Sequence, residues 1–245
     1  MVRRKGSIEG GIVMKLDHIV YFTMKAPEEI VHEQQSFGYN VVFGGKHKQW
    51  GTQNVLMYVQ NAYIEWLTVD DDEKVQRSTN PLIELYRYDR SEEGWGTICL
   101  SVEQIEQLEE RLSGQGYQTS GVIHAERMTS TGEKIKWKML FIEEPVSNEL
   151  PFPFFIEWEQ TEAAQRKRLR AEGAITTENE KLAITNCFLQ SSNCTNRIKQ
   201  WSTLLNIPVE NETTLPLDNC TLTFMEGSEQ EKNRLMDVSI RYTSL

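Results

Sequence analysis

No stretch of this 245-residue chain approaches the roughly 20 consecutive apolar residues that a bilayer-spanning helix needs. Basic charge is also short: 26 Lys and Arg stand against 36 Asp and Glu, a formal net charge of -10. That balance excludes an extended nucleic-acid-binding face, which requires clustered cations. The one basic run, Arg166-Lys167-Arg168-Leu169-Arg170, reads as a solvated helix face. Cysteine is sparse. Cys99, Cys187, Cys194 and Cys220 form no CxxC pair and carry no nucleophile signature, so they read as reduced, buried, small apolar groups. The start, Met1-Val2-Arg3-Arg4-Lys5, is basic, but Gly6 to Gly11 supplies no apolar segment behind it, so it does not read as a secretory signal. Residues 1–13 read as a non-native leader with Met14 as the natural start, and the chain as cytoplasmic, with no membrane partner.

What is present is an ordinary globular composition, 39% hydrophobic and 25% charged, on a chain long enough to bury a substantial core. Tyr63-Ile64-Glu65-Trp66-Leu67-Thr68-Val69 is β-branched, aromatic and apolar, a buried strand. Its pattern returns in Phe154-Phe155-Ile156-Glu157-Trp158. Around each lies the same order of elements. A strand from Leu16 is followed by a helix from Pro27, a strand to Phe43, a Gly-rich loop over 44–52, and strands over 53–59 and 62–69. A second pass runs from a strand at Trp95 through an amphipathic helix over 103–112, an extended segment over 117–125, a turn over 127–132, and strands at Lys134 and Phe154. The polar stretch 70–78 and a helix from Pro81 lie between them. The expected fold is α+β, with tandem βαβββ modules over 14–70 and 95–160, a helical linker over 161–180, and a third βαβββ-like module over 181–245. The third unit has no internal counterpart, so it packs on the other two or pairs across a homodimer.

Chemistry enters through polar residues on buried strands. A carboxylate there is costly unless it is paired, hydrogen-bonded or metal-bound. Glu65 and Glu157 are such carboxylates, and His18 sits on an otherwise apolar strand face. Two buried carboxylates without a metal repel, which makes one of them a general acid or base. His47, in the Gly-rich loop with Trp50, Thr52 and Asn54, is a candidate catalytic or substrate-contacting group, and Arg127 a candidate contact for an anionic ligand. Gly44-Gly45 lacks the spacing of a phosphate loop.

Together, Leu16-Asp17-His18-Ile19-Val20, Gly44-Gly45-Lys46-His47 with Trp50-Gly51-Thr52-Gln53-Asn54, and Tyr63-Ile64-Glu65-Trp66-Leu67 resemble the glyoxalase-like branch of the vicinal oxygen chelate superfamily. Arg127 to Gly132, Trp137, and Leu150-Pro151-Phe152 running into Ile156-Glu157-Trp158 look like the second half of the same domain. The resemblance implies two modules curled around a cleft, with a metal ligand from the first and fourth strands of each. His18, Glu65 and Glu157 then match three ligand positions. The fourth falls near Thr97, or at Ile98 or Cys99 if the register slips, and none of these is the expected His, Gln or Glu. A His and two carboxylates suit Fe, Mn, Zn or Ni with open positions. The resemblance thus implies a metal-assisted isomerase, lyase or dioxygenase acting on a small oxygenated molecule, with Glu157 and His47 as catalytic groups. The missing ligand leaves open a metal-free module that sequesters a small molecule.

Overall fold

The structure, a computed structural model, describes residues 14–128 and 134–243; the expected leader and most of the expected 127–132 turn lie outside them. The first module runs β1 (Lys15–Phe22), α1 (Pro27–Ser36), β2 (Val42–His47), β3 (Thr52–Tyr58) and β4 (Tyr63–Val69). Two short helices follow, α2 (Asp72–Arg77) and α3 (Pro81–Asp89). The second module is β5 (Gly94–Ser101), α4 (Ile105–Gly114), β6 (Ile123–Met128), β7 (Lys134–Leu140) and β8 (Phe154–Trp158). Then come α5 (Glu162–Ala171), α6 (Thr177–Glu180), β9 (Leu182–Ser191), α7 (Cys194–Leu205), β10 (Thr214–Pro216), β11 (Thr221–Glu226) and β12 (Leu235–Tyr242).

β1 and β5 pair antiparallel and fuse the first two modules into one eight-stranded sheet of order β2-β3-β4-β1-β5-β8-β7-β6. In each module the fourth strand lies parallel to the first, β4 beside β1 and β8 beside β5. The sheet curls until its two edge strands meet, where the Arg127 guanidinium on β6 donates to the Gly44 carbonyl on β2. Its inner face carries Val20, Phe22, Leu67, Cys99, Trp137, Met139, Phe154 and Ile156, and α2 and α3 pack onto this cluster through Val75, Ile83, Leu85 and Tyr86. Its outer face, with Leu16, Ile19, Ile64, Leu100 and Phe155, joins a larger core shared with all three modules.

The third module keeps the β-α-β-β-β order but not the sheet order. Its strands run β10-β11-β9-β12, so the last strand crosses to the far edge of β9. It packs on the first two modules within the same chain. The Asn219 amide bonds to Leu16 and Asn61 backbone oxygens, and Asn61 in turn to Ile184 and Asn219 backbone oxygens. At the other end, Arg234 holds Asp89 of α3 through Nε–Oδ2 at 2.7 Å and Nη2–Oδ1 at 3.2 Å, with further bonds to the Ser147 and Glu149 carbonyls.

Two local features depart from the sequence pattern. The polar segment 70–78 contains α2, which has no apolar periodicity because only Val75 is buried; the Asp71 carboxylate caps it by accepting from Lys74 N. The expected Gly-rich loop is largely strand: β2 runs through Gly44 and Gly45 to His47, with an irregularity in its pairing to β3 at Phe43/Gly45. No helix among the described residues is long and apolar enough to cross a membrane.

Candidate functional site

The strand alternation of β1 is broken where it matters most. Its pairing with β5 slips between Leu16 and His18, so Asp17 is an extra residue. Leu16 and Ile19, three apart, both face the outer core. Regular alternation would put Leu16 and His18 on one face with Asp17 opposite, and the bulge breaks that pattern. His18 lies between strands β4 and β5 and is 3% exposed. Its Nδ1 is 2.7 Å from Asp17 Oδ1, and Asp17 Oδ2 accepts from Trp158 Nε1 at 2.8 Å. The imidazole stacks on Tyr63, with centroids 4.5 Å apart, and meets the edge of Phe154. Both ring orientation and tautomer are set by this frame: Nδ1 carries its hydrogen to the carboxylate and Nε2 faces inward.

Inward of it stands Glu65 on β4, 6% exposed. Its Oε2 is 3.4 Å from His18 Nε2, and its Oε1 accepts from Asn54 Nδ2 at 2.5 Å. Asn54 Nδ2 also lies 3.4 Å from His47 Nε2, and His47 Nδ1 is 3.0 Å from Thr52 Oγ1. Burial pushes the His47 imidazole below its ordinary value, opposed by Glu65 and aided by Arg127 and His18. These groups line one cavity of about 60 Å³ with Trp50, Tyr58, Arg127 and Trp137. His18, His47, Trp50, Thr52, Asn54, Glu65 and Arg127, all expected from the sequence, converge on it.

Glu157 does not. Along β8, Phe154 and Ile156 face the cavity, and Glu157 points the other way, where its Oε2 accepts from Ile105 N at the start of α4, 2.8 Å away. The two aromatic-Ile-Glu-Trp segments are offset by one residue. His18 pairs with Tyr63 and with Cys99, and Cys99 pairs with Phe154. Cys99 is therefore the counterpart of His18, and Ile156, not Glu157, the counterpart of Glu65. A one-residue slip turns every side chain to the other face.

The expected four-donor metal set is thus half present. The first module supplies an imidazole and a carboxylate; the second supplies a thiol and a hydrocarbon. The Cys99 thiol is pushed well up by burial, with Asp17 and Glu65 adding to the effect. That set does not fit a hard or borderline metal held by four nitrogen and oxygen donors. A different grouping exists: Asp17, His18 and Cys99 each offer a ligand atom, all within 4.8 Å of one another. Asp17 was not singled out by sequence as a site residue, and Cys99 was named only as a slipped-register alternative to Thr97 for the fourth position. Only the bulge brings Asp17 to this face, and strand alternation gives no sign of it.

A hypothetical protein from Staphylococcus aureus shares the fold, with a TM-score of 0.79 at 24% identity over 93% of this chain and 91% of that one. A Streptomyces coelicolor methylmalonyl-CoA epimerase in complex with 2-nitronate-propionyl-CoA overlaps 61% of this chain and 100% of its own at 10% identity, with a TM-score of 0.43. A methylmalonyl-CoA epimerase from Mycobacterium tuberculosis overlaps 65% and 97% at 13% identity, with a TM-score of 0.41. No protein among the curated ones matches. The glyoxalase-like domain family matches residues 16–205, well over half of the sequence, and the chain belongs to that family.

Proposed function

We propose that the chain is a proton-transfer enzyme of isomerase or lyase type, acting on a small oxygenated molecule whose C–H bond is acidified by a neighbouring carbonyl. The observation that carries this is the 3.4 Å approach of His18 Nε2 to Glu65 Oε2, with Asp17 behind the imidazole. Glu65 and His18 are two proton acceptors side by side on the cavity wall. A proton taken from carbon by Glu65 passes to His18 Nε2, and Asp17 stabilises the imidazolium that forms. Asn54 holds one Glu65 oxygen fixed, leaving the other for the proton. Tyr63 and Phe154 wall the ring from water, which keeps these charges in a low-dielectric setting. His47, kept neutral by burial, and Thr52 line the same cavity and suit a carbonyl oxygen. Arg127 gives the cavity a cation for an oxygen-rich ligand.

The test is hydrogen–deuterium exchange at carbon. The protein is incubated in D2O with a panel of 2-oxo and 3-oxo acids, their esters and phosphorylated ketoses, with chelator present, and C–H signals are followed by NMR. Wild-type protein should wash deuterium into at least one compound, and Glu65→Gln should abolish the exchange without unfolding the chain. Exchange at the wild-type rate in Glu65→Gln would overturn the reading. A protein that binds members of the panel and exchanges none is the sequestration module that the sequence left open.

A metal-assisted site is the second reading, favoured by the Asp17, His18 and Cys99 cluster. A borderline ion such as Zn suits one thiolate, one imidazole and one carboxylate, and would supply Lewis acidity beside the same cavity. Elemental analysis of wild type and Cys99→Ser separates the two readings: near-stoichiometric metal lost in the variant supports the metal, and equal, trace content in both removes it.

A further inference from the structure

The helix expected to be a solvated linker is part of the cleft mouth. Leu169 of α5 is buried with Leu56, Tyr58, Ala174 and Ile175, and Gln165 reaches the wall of the inner cavity. The basic run on α5 is pinned rather than free: Arg166 donates to the Val59 carbonyl, and Arg170 pairs with Glu180. Between α5 and β2 opens a second cavity of about 400 Å³, which shares Leu56, Tyr58 and Arg127 with the inner one.

Its polar lining is unusual for a protein of net charge -10. Two guanidiniums, Arg127 and Arg168, line it together with Tyr58. Arg168 gives Nη1 to Glu172 at 2.9 Å, while its Nε is buried without any partner. Arg127 bonds to the Gly44 carbonyl, and among the described residues no carboxylate pairs with it. Burial pushes the Tyr58 hydroxyl up against the pull of both guanidiniums, so it stays a protonated donor. A buried donor without an acceptor, as Arg168 Nε is, costs free energy. An oxyanion placed here would meet the Arg127 and Arg168 guanidiniums and the Tyr58 O–H together. Planar guanidinium forks match carboxylate and phosphate oxygens in a way that an ammonium does not. The cavity also falls within the ~300–1,000 Å³ usual for small-molecule sites.

We propose that Arg127, Arg168 and Tyr58 form an oxyanion clamp at the mouth of the cleft, which binds the carboxylate or phosphate end of the ligand while its oxygenated head enters the inner cavity beside Glu65 and His18. This deepens the proton-transfer reading and rests on it for the head group. The clamp itself is defined by α5, an element outside the two fused modules, which makes α5 a specificity element.

The test is calorimetric titration of the full chain with inorganic phosphate and, separately, succinate. At least one should bind wild type, with an affinity that falls as salt rises. Arg168→Met should weaken that binding at least tenfold. Glu172→Gln, which frees Arg168 Nη1 and keeps the guanidinium, should tighten it severalfold, so the proposal stays exposed even if Arg168→Met folds poorly. The tighter of the two anions identifies the ligand's charged end. Glu65→Gln should bind the anion as wild type does. Failure of carbon exchange therefore leaves this readout intact, and failure here leaves that one intact. Wild-type affinity in both Arg168→Met and Glu172→Gln, or no binding of either anion to wild type, would overturn the clamp.

Discussion

Asp17 and His18 are consecutive in sequence, yet Asp17 Oδ1 lies 2.7 Å from His18 Nδ1. Regular alternation would put these side chains on opposite faces of β1. The bulge against β5 brings both to the cleft side. Trp158 Nε1, donating to the other Asp17 oxygen, ties the second module to this pair. The bulge makes an oriented imidazole out of what would otherwise be a buried histidine among aromatic rings.

Replacing Asp17 with Asn should therefore cost activity far more than stability. The amide can still accept from Trp158, but it no longer stabilises a proton on His18 or selects the Nδ1–H tautomer. Carbon exchange should fall by orders of magnitude, up to about 10⁴-fold, as it does when the Asp behind a proton-transferring histidine becomes Asn. The exchange rate and the thermal unfolding midpoint of Asp17→Asn, measured together, check this. Equal losses of both would mean that Asp17 serves only the fold.

Glu65 and Glu157 should separate cleanly. Glu157→Ala removes the acceptor for Ile105 N at the positive end of α4 and a 3.7 Å contact with Lys138. It should destabilise the protein by about 0.5–2 kcal/mol, as loss of a helix-capping acceptor does, and leave the exchange rate unchanged. Glu65→Gln should do the reverse. Denaturant unfolding and exchange assays on both variants decide the matter, and inactivity of a folded Glu157→Ala protein would contradict the assigned register.

These two glutamates show where sequence suffices and where it stops. The repeated βαβββ order was legible because its strands are apolar runs and its helices are amphipathic, and both periods survive in a single sequence. His18, Glu65, His47, Trp50, Thr52, Asn54 and Arg127 were legible because polar groups on or beside such strands need a reason to be there. The face that Glu157 presents was not, since motif alignment carries no register and two similar segments can pair one residue apart. The bulge at Asp17 left no mark either, because nothing in Leu16-Asp17-His18 distinguishes an inserted residue from an alternating one. α5 reads as a charged, exposed helix and most of it is, but its pattern gives no sign that Arg166, Arg168 and Arg170 are held by the Val59 carbonyl, Glu172 and Glu180.

The joint between the third module and α3 is a buried ion pair. Arg234 and Asp89 are both nearly inaccessible, and among the described residues the Arg234 guanidinium donates to backbone carbonyls and to this carboxylate. Arg234→Met leaves the Asp89 carboxyl buried with Lys232, whose Nζ is 3.7 Å away, as its one remaining cation among the described residues. Removing one member of such a pair costs about 3–5 kcal/mol. Chemical denaturation should show that loss, and a change within 1 kcal/mol would place Asp89 in contact with water.

Gly44 couples the edge of the sheet to the Glu65 carboxylate. A Cβ at this position would lie 2.3 Å from Asn54 Oδ1 and 2.6 Å from Leu56 Cδ1. Gly44→Ala should push Asn54 off Glu65 Oε1, slowing exchange by an order of magnitude, and overpack the site by about 1–3 kcal/mol. Carbon exchange by the folded variant checks the coupling, and Gly44→Ala with wild-type exchange would show that Asn54 moves away without disturbing Glu65.

Acid should destabilise the protein through His47. The half-buried imidazole is held below its ordinary value of 6.5, chiefly by desolvation, with Glu65 opposing and Arg127 and His18 assisting. Between the depressed folded value and 6.5, the unfolded chain binds a proton on this ring and the folded chain does not. Stability therefore rises with pH across that window. The contribution is complete above the unfolded value and is lost as pH falls through the window toward the folded one. His47→Gln removes the titrating group and keeps an amide able to meet Thr52 and Asn54. Urea unfolding from pH 7.5 down to pH 5 should show a shallower loss of stability in the variant than in wild type. Parallel curves would mean that the ring takes up its proton in the folded protein as readily as in the unfolded chain, through the neighbouring Glu65 carboxylate.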